Sequence, residues 1–496
     1  MEALGQLAMG FGVVLTPENL YFCLLGSILG TLIGVLPGVG PLAALSVLLP
    51  VTFVMPPVAA IAMLAAIFYG AVYGGSIASI LVNIPGDASA VITAIEGHKM
   101  ALDGRAGVAL GMSAIVSFIA STAGLLALTF LSPLLALYAV RLGPPEYAAL
   151  VLLGFICALM MIRGSILKGL VMMALGAFVA SVGIDIVTGM QRFAYGSVNL
   201  VAGFDLIAIV IGLFGVSEIL MNAERIMASR PVRSRFRDLF PKREDWRLSL
   251  PPILRGTGLG FGLGLIPGGG PVTASFISYA IEKRVGEKQG KTFGTGRIEG
   301  VAGPESANNA AVSGGMIPLL SLGIPGNPVT AILLGALIIQ GVQPGPTLIT
   351  EHPEVFWGVV AAMYLGNVFL LLLNLPLVGL WVQLLRTPYV VLFPTILLLA
   401  IVGSYASNKN LFDVWVMLGF GVLGYLLRKL EYDLAPLILA VVLAPLLEES
   451  LRQSMVMSRS GILIFFERPM ALGLLSVATL IILVSLYNRI KRRKTR

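Results

Sequence analysis

The chain has 496 residues, 57% of them apolar and only 12% charged, with a mean hydropathy of +0.94. Soluble proteins carry about 25% charged residues, so a globule of this length could not cover its surface and a soluble fold is excluded. The positive charge behind the formal net +8 is concentrated in two short stretches, which read as membrane-topology signals rather than a nucleic-acid surface.

Residues 1–19 contain no Lys or Arg, and no cleavage-like site follows them, so they do not read as a secretory signal. Leu4, Leu7, Ala8, Phe11, Val14 and Leu15 share one helical face, which predicts an N-terminal segment lying along the membrane interface. Apolar segments then follow near 20–36, 42–55, 58–82, 107–131, 145–162, 166–189 and 199–221. Cys23 and Cys157 fall inside such runs with no second ligand nearby, so they read as small packing residues. His98, in Glu96-Gly97-His98-Lys99, reads as part of a short polar loop returning to water, and His352 beside Pro353 as loop too. Arg163, Lys168 and Arg192 lie near segment ends, where long basic side chains snorkel to the interface. Asp205, Glu218 and Glu448 are placed at the interface by the same reasoning.

The stretch 222–250 carries eight Lys/Arg against four acids, and the tail after Tyr487 carries six more basic residues. Basic loops stay on the cytoplasmic side, so both are expected there, with the N-terminal 19 residues, which hold no Lys or Arg, outside. Further apolar segments occupy 253–266, 271–281, 311–324, 329–341, 355–384, 388–406, 411–427, 432–448 and 470–487. Several are shorter than the ~20 residues of a spanning helix; they flank Pro-Gly motifs and read as half-helices or re-entrant hairpins.

Those motifs occur twice. Gly34-Val-Leu-Pro-Gly-Val-Gly-Pro41 returns 230 residues later as Gly264-Leu-Ile-Pro-Gly-Gly-Gly-Pro271, and Asn83-Ile-Pro-Gly-Asp87 returns 240 residues later as Gly323-Ile-Pro-Gly-Asn327. The stretch 216–220 aligns with 446–450. The expected architecture is therefore an all-α polytopic membrane protein of two homologous halves. Its parts are an interfacial segment (1–19), a first repeat (20–221), a basic cytoplasmic loop (222–250), a second repeat (251–451), and one extra C-terminal helix with a basic tail (452–496). An odd number of crossings in the first half would make the two repeats inverted in topology, although Arg452, Arg459 and Arg468 sit awkwardly in a stretch that should then be external.

A backbone break within a bilayer leaves N–H and C=O groups unpartnered, at a cost of several kcal/mol each. It persists where protein, water or ligand fills the vacancy. Pro41 and Pro271 suit the first turn of a new helix, whose free N–H groups attract anions. Gly38, Gly40, Pro41, Gly268, Gly269 and Gly270 are accordingly candidate substrate ligands. Around the second motif pair, Ser76, Ser79, Asn83, Pro85, Gly86 and Ser89 in one half, and Ser321, Pro325, Gly326 and Asn327 in the other, join them. Ser306, Asn308 and Asn309, from the small polar run Gly303–Ala311, complete the candidate set. A plain kink between packed helices is the simpler reading of any one motif, and small polar residues also mediate ordinary helix packing; two copies at equivalent places favour a site. Asp87 and Glu305 are the acids placed within the apolar spans and are candidate ligands for a coupling cation or proton, or else caps of half-helices.

Gly34–Pro41, Tyr73-Gly74-Gly75-Ser76 leading to Asn83-Ile84-Pro85-Gly86, Gly264–Pro271, Gly303–Ala311 and Gly323–Gly326, together with the opening Leu15-Thr16-Pro17-Glu18-Asn19-Leu20, resemble the large membrane subunit of the tripartite tricarboxylate transporter family. The resemblance runs over essentially the whole chain. It implies a multi-pass permease of the bacterial inner membrane, working with a small four-helix membrane subunit and a periplasmic solute-binding protein. It also implies uptake of tri- or dicarboxylates or related organic acids, driven by an ion gradient (Na+ or H+) and without an enzymatic cofactor. The chain contains no Gly-x-x-x-x-Gly-Lys-Ser/Thr phosphate loop, in keeping with a non-ATP mechanism. Two rivals remain. An anion channel would need a continuous pore with filters repeated about an axis; an intramembrane enzyme would need a metal or nucleophile motif that these two histidines do not form.

Overall fold

A computed structural model describes residues 2–36, 39–139, 142–161, 165–185, 188–224, 236–266, 268–384, 389–459 and 461–494. Arg163, the basic residues from 225 to 235, and Pro37, Gly38 and Pro267 of the first motif pair lie outside the described residues.

The first half comprises α1 (Glu2–Val14), α2 (Pro17–Val35), α3 (Gly40–Leu48), α4 (Pro57–Val82), α5 (Val91–Met100), α6 (Ala106–Ala139), α7 (Pro144–Met161) and α8 (Ile166–Ala180). A two-stranded antiparallel hairpin, β1 (Gly183–Ile184) with β2 (Gln191–Arg192), and a single turn, α9 (Val198–Val201), follow. Then α10 (Leu206–Val210) runs through a widened π-type stretch, Ile211–Val216, into α11 (Ser217–Ala223). The second half holds α12 (Arg243–Leu265), α13 (Pro271–Lys288), α14 (Glu299–Leu322), α15 (Pro328–Ile339), α16 (Leu348–Glu351), α17 (Pro353–Asn374), α18 (Val378–Leu384), α19 (Tyr389–Asn408), α20 (Leu411–Lys429) and α21 (Ala435–Met457). The chain ends with α22 (Ile464–Glu467) and α23 (Pro469–Lys494), the latter packed on α7. Six helical stretches among the described residues are long and apolar enough to cross a bilayer, with a bent C-terminal pair as a possible seventh span.

The duplication extends into the packing. Helix α2 lies along α4, and α12 lies along α14. Glycines at a four-residue spacing make both contacts. A β-carbon on Gly26, Gly30 or Gly34 would sit 2.3–2.5 Å from the carbonyl oxygens of Met63, Ile67 or Ala71. On Gly256, Gly260 or Gly264 it would sit 2.0–2.5 Å from those of Gly303, Ala307 or Ala311. Each contact in one half has its counterpart in the other, displaced by the same 230 and 240 residues that relate the Pro-Gly motifs. In a bilayer no water-driven force brings helices together, so close backbone approach over small residues does. Helices α4 and α14 are the two central helices, buried along nearly their whole length.

The halves also interlock reciprocally. Helix α6 of the first packs on α14 of the second, while α17 of the second packs on α4 of the first. Likewise α8 packs on α21, and α20 packs on the π-type stretch before α11. The N-terminal α1 lies against α17, where Gly10 meets the backbone of Trp357.

One expected loop is helix. Residues 96–99 belong to α5, and Glu96 is fully buried rather than solvated. Its carboxylate accepts the backbone N–H groups of Gly294, Gly296 and Arg297 and the hydroxyl of Tyr279, so an acid of the first half holds a loop of the second. The ring Nδ1 of His98 is 2.9 Å from the carbonyl of Ile80. A loop was expected because charge density was read as exposure; backbone donors from a distant segment supply the missing partners instead.

Candidate functional site

The two breaks of each half meet. Helix α2 stops at Val35 and α12 at Leu265, each with the next N–H turned back onto the carbonyl three residues earlier (Leu36 to Ile33, Ile266 to Leu263). Helices α4 and α14 end on left-handed residues, Asn83 (φ 58°) and Gly323 (φ 70°), the two residue types that best tolerate that conformation. The chain then folds back against its own helix: the N–H of Gly86 points to the carbonyl of Gly75 at 3.4 Å. A β-carbon on Gly86 would lie 2.0 Å from the carbonyl oxygen of Gly34, so only glycine fits where this break crosses the end of α2. In the second half the N–H of Gly268 donates to the carbonyl of Gly326 at 2.5 Å, joining the two breaks directly.

Residues from the breaks of both halves line one cavity of about 680 Å³. Gly40, Pro41, Pro85, Gly86 and Asp87 come from the first half, and Gly268, Gly270, Pro271, Asn327 and Pro328 from the second. Its apolar wall includes Phe68 and Val72 of α4, Phe214, and Leu439 of α21. Helices α3, α13 and α15 all begin at this cavity with proline in the first turn. The first N–H groups of α3 and α13 have no partner within the helix and no side-chain cap, whereas those of α15 are taken by Asn327. A concave, mostly apolar space with a few convergent polar groups is the usual form of a small-molecule site.

Two equivalent caps sit on the wall. The Asp87 carboxylate accepts the N–H of Ser89 at 3.1 Å and also its hydroxyl, starting the turn Ala88–Ala90. Asn327, 240 residues on, accepts the N–H groups of Val329 and Thr330, each at 3.0 Å, and starts α15. A neutral amide does the capping in one half, so capping accounts for the shape of the Asp87 turn but not for its charge.

Glu305 lies apart from that lining, fully buried on α14. Hydroxyls of Ser76 (2.8 Å), Ser113 (3.1 Å), Ser117 (3.4 Å) and Thr93 surround its carboxylate, drawn from α4, α5 and α6. Asn309 adds a bond to Ser117 at 2.8 Å, while Nδ2 of Asn308 and Oδ1 of Asn309 have no hydrogen-bond partner among the described residues. One carboxylate ringed by hydroxyls that can turn their lone pairs inward is a donor set suited to a proton or a hard monovalent cation.

Of the residues singled out from sequence, Gly40, Pro41, Pro85, Gly86, Asp87, Gly268, Gly270 and Asn327 face the cavity. Gly269, Asn83, Ser89, Pro325 and Gly326 belong to the breaks but are outside the lining; Ser76, Asn309 and Glu305 form the buried cluster; Ser79, Ser306, Asn308 and Ser321 are buried on α4 and α14. Gly38 lies outside the described residues. Sequence reasoning missed the charged part of the wall. Arg428, Glu218 and Asp433 line the cavity, and Arg428 pairs with Glu218. The signal was the alignment of 216–220 with 446–450, which sets Glu218 against Glu448. Both acids bind an arginine of the opposite half, Glu448 pairing with Arg192.

A family model described as the tripartite tricarboxylate transporter TctA family matches residues 20–439. The chain belongs to that family. Two similar proteins come from Agrobacterium vitis. The first, "Uncharacterized 52.8 kDa protein in TAR-I ttuC' 3'region", is 46% identical over 494 residues, covering 100% of this chain and 98% of that protein. The second, "Uncharacterized protein in TAR-II ttuC' 3'region", is 49% identical over 232 residues, covering 47% of this chain and 96% of that protein. No solved structure matches this TctA chain. The family is one of transporters, and the apolar helices agree with a multi-pass membrane protein.

Proposed function

We propose that this chain is the permease of a three-component system that takes up a carboxylate at the expense of an ion gradient. A small membrane subunit and a periplasmic solute-binding protein would complete the system in a bacterial inner membrane. The two halves act as inverted repeats that rock about the shared cavity, exposing it to each side in turn. The observation that carries the reading is the meeting of the backbone breaks of both halves at one cavity, with the uncapped N-termini of α3 and α13, one from each half, opening on it.

The charge of the wall supports coupling. Asp87, Glu218 and Asp433 oppose Arg428 alone, a formal −2 among the described lining residues. A polycarboxylate entering such a space is repelled unless cations enter with it, and in a low-dielectric site that repulsion is several kcal/mol per close pair. Asp87 in the wall and Glu305 in its hydroxyl ring are the proposed ligands for sodium or protons.

The test is flux of labelled citrate and succinate into proteoliposomes holding the permease and its small subunit, with the binding protein outside. Saturable uptake that needs both the binding protein and an imposed sodium or proton gradient is expected. Unsaturable flux in the absence of both would establish a channel and overturn the proposal.

A further inference from the structure

Among the described residues, one cation faces the cavity, and it is engaged by a side chain that mimics the substrate. Arg428 lies in the last turn of α20, and Glu218 in the first turn of α11 in the other half. Glu218 is held from behind by Asn222, whose Nδ2 donates to Oε1 at 3.1 Å. Both partners are partly accessible, at 25% and 20% of side-chain area, and both are in the lining. A guanidinium three-quarters buried is costly to leave unpaired, so a carboxylate that takes Arg428 must replace Glu218 on it, while Glu218 keeps its Asn222 partner. The planar fork of arginine matches a carboxylate in two parallel hydrogen bonds, which lysine cannot reproduce. Among the described residues, the cavity lining supplies no other fixed positive charge.

We infer that Arg428 is the subsite for a second carboxylate of the substrate, and that Glu218 occupies it as a resident stand-in until a substrate of two or more carboxylates displaces it. One carboxylate of that substrate rests on the amides at the Pro-Gly breaks, and the other takes Arg428. The inference rests on the carboxylate-permease reading above and adds to it a selectivity for di- and tricarboxylates over monocarboxylates. Displacement also releases Glu218 from α20, so the ligand that fills the cavity removes a link between the halves.

The structure supplies an internal control. Arg192 and Glu448 form the corresponding cross-half pair, and neither lines this cavity.

The experiment measures binding of labelled succinate to the full-length protein in nanodiscs, with citrate and the monoanion succinamate as competitors, for wild type, Arg428→Gln, Arg428→Lys, Glu218→Gln and Arg192→Gln. Arg428→Gln is expected to weaken succinate about tenfold or more, the worth of one charge-assisted contact, and to erase the preference over succinamate. Arg428→Lys restores part of it. Glu218→Gln, which removes the competitor, tightens succinate. Arg192→Gln leaves the succinate-to-succinamate ratio unchanged. A merely structural pair predicts that Glu218→Gln and Arg428→Gln weaken binding alike with the ratio intact, and that result overturns the inference while leaving carboxylate transport standing. Wild type that binds neither succinate nor citrate overturns both.

Discussion

Alanine substitution along α12 tests the glycine seam within a single helix. Gly260 faces α14, where a β-carbon would lie 2.0 Å from the carbonyl oxygen of Ala307 and 2.6 Å from its Cα. Gly258 and Gly262 point elsewhere, with nothing within 4 Å of the same built atom. Ordinary contact begins at 3.4 Å, so Gly260→Ala requires α12 and α14 to separate locally by about 1.4 Å, the excess of that contact over the observed approach. The obstacle is backbone of a buried helix and cannot rotate away. The cost belongs at the top of the overpacking range, about 3 kcal/mol, against a helix-propensity gain of about 1 kcal/mol. The net is a loss of about 2 kcal/mol for Gly260→Ala and a gain of about 0.5–1 kcal/mol for Gly258→Ala or Gly262→Ala. At about 2 °C per kcal/mol, the melting points of purified variants should separate by about 5–6 °C. Three variants that melt together would refute the seam, and with it the packing evidence for duplication.

Gly40, at φ 59°, and Gly270 both abut the second break of their half, so Gly40→Leu and Gly270→Leu should abolish uptake while membrane-inserted protein, read by immunoblot, stays within about twofold of wild type. Normal uptake in both would remove the breaks from the mechanism. Asp87→Asn should preserve the fold, since Asn327 caps its own turn with an amide, and should lower the steepness of uptake against sodium or proton concentration; an unchanged ion dependence eliminates Asp87 as a coupling ligand. Glu305→Gln places an amide among four hydroxyls that all point toward an acceptor, so a loss of ion coupling larger than the loss of stability is expected, and equal losses would mark the cluster as a packing device. A cysteine placed within 222–250 should resist a membrane-impermeant maleimide in intact cells, and rapid labelling there would reverse the topology.

The duplication was legible because Pro and Gly have few permitted environments within lipid, so two copies of their spacing could only mark equivalent backbone breaks. The glycine seams were equally legible. Gly26, Gly30 and Gly34 recur as Gly256, Gly260 and Gly264, a regular four-residue spacing that leads up to each break. The polar cluster around Glu305 was visible only in part. Ser76 and Asn309 stood in motifs, whereas Thr93, Ser113 and Ser117 lie on α5 and α6 and reach Glu305 through tertiary contact alone. Arg428 and Glu218 escaped because hydropathy assigns helix-end charges to the interface. That rule knows depth along one helix and nothing of which neighbouring surface the end faces. Glu96 was misplaced for the same reason, since its partners are amides 198 to 201 residues away.

The reciprocal interlock has a consequence for biogenesis. Helix α4 leaves the ribosome complete at residue 82, yet α17, which covers part of it, begins at residue 353. At 5–20 residues per second that is a wait of about 14–54 s. Through that interval the face of an almost wholly apolar helix that α17 will cover must rest against lipid or the insertion machinery, while α2, α3, α5 and α6 of its own half hold the rest. Assembly of the early spans is therefore tied to completion of the late ones, and a nascent chain stalled between residues 83 and 352 should be a target for membrane quality control.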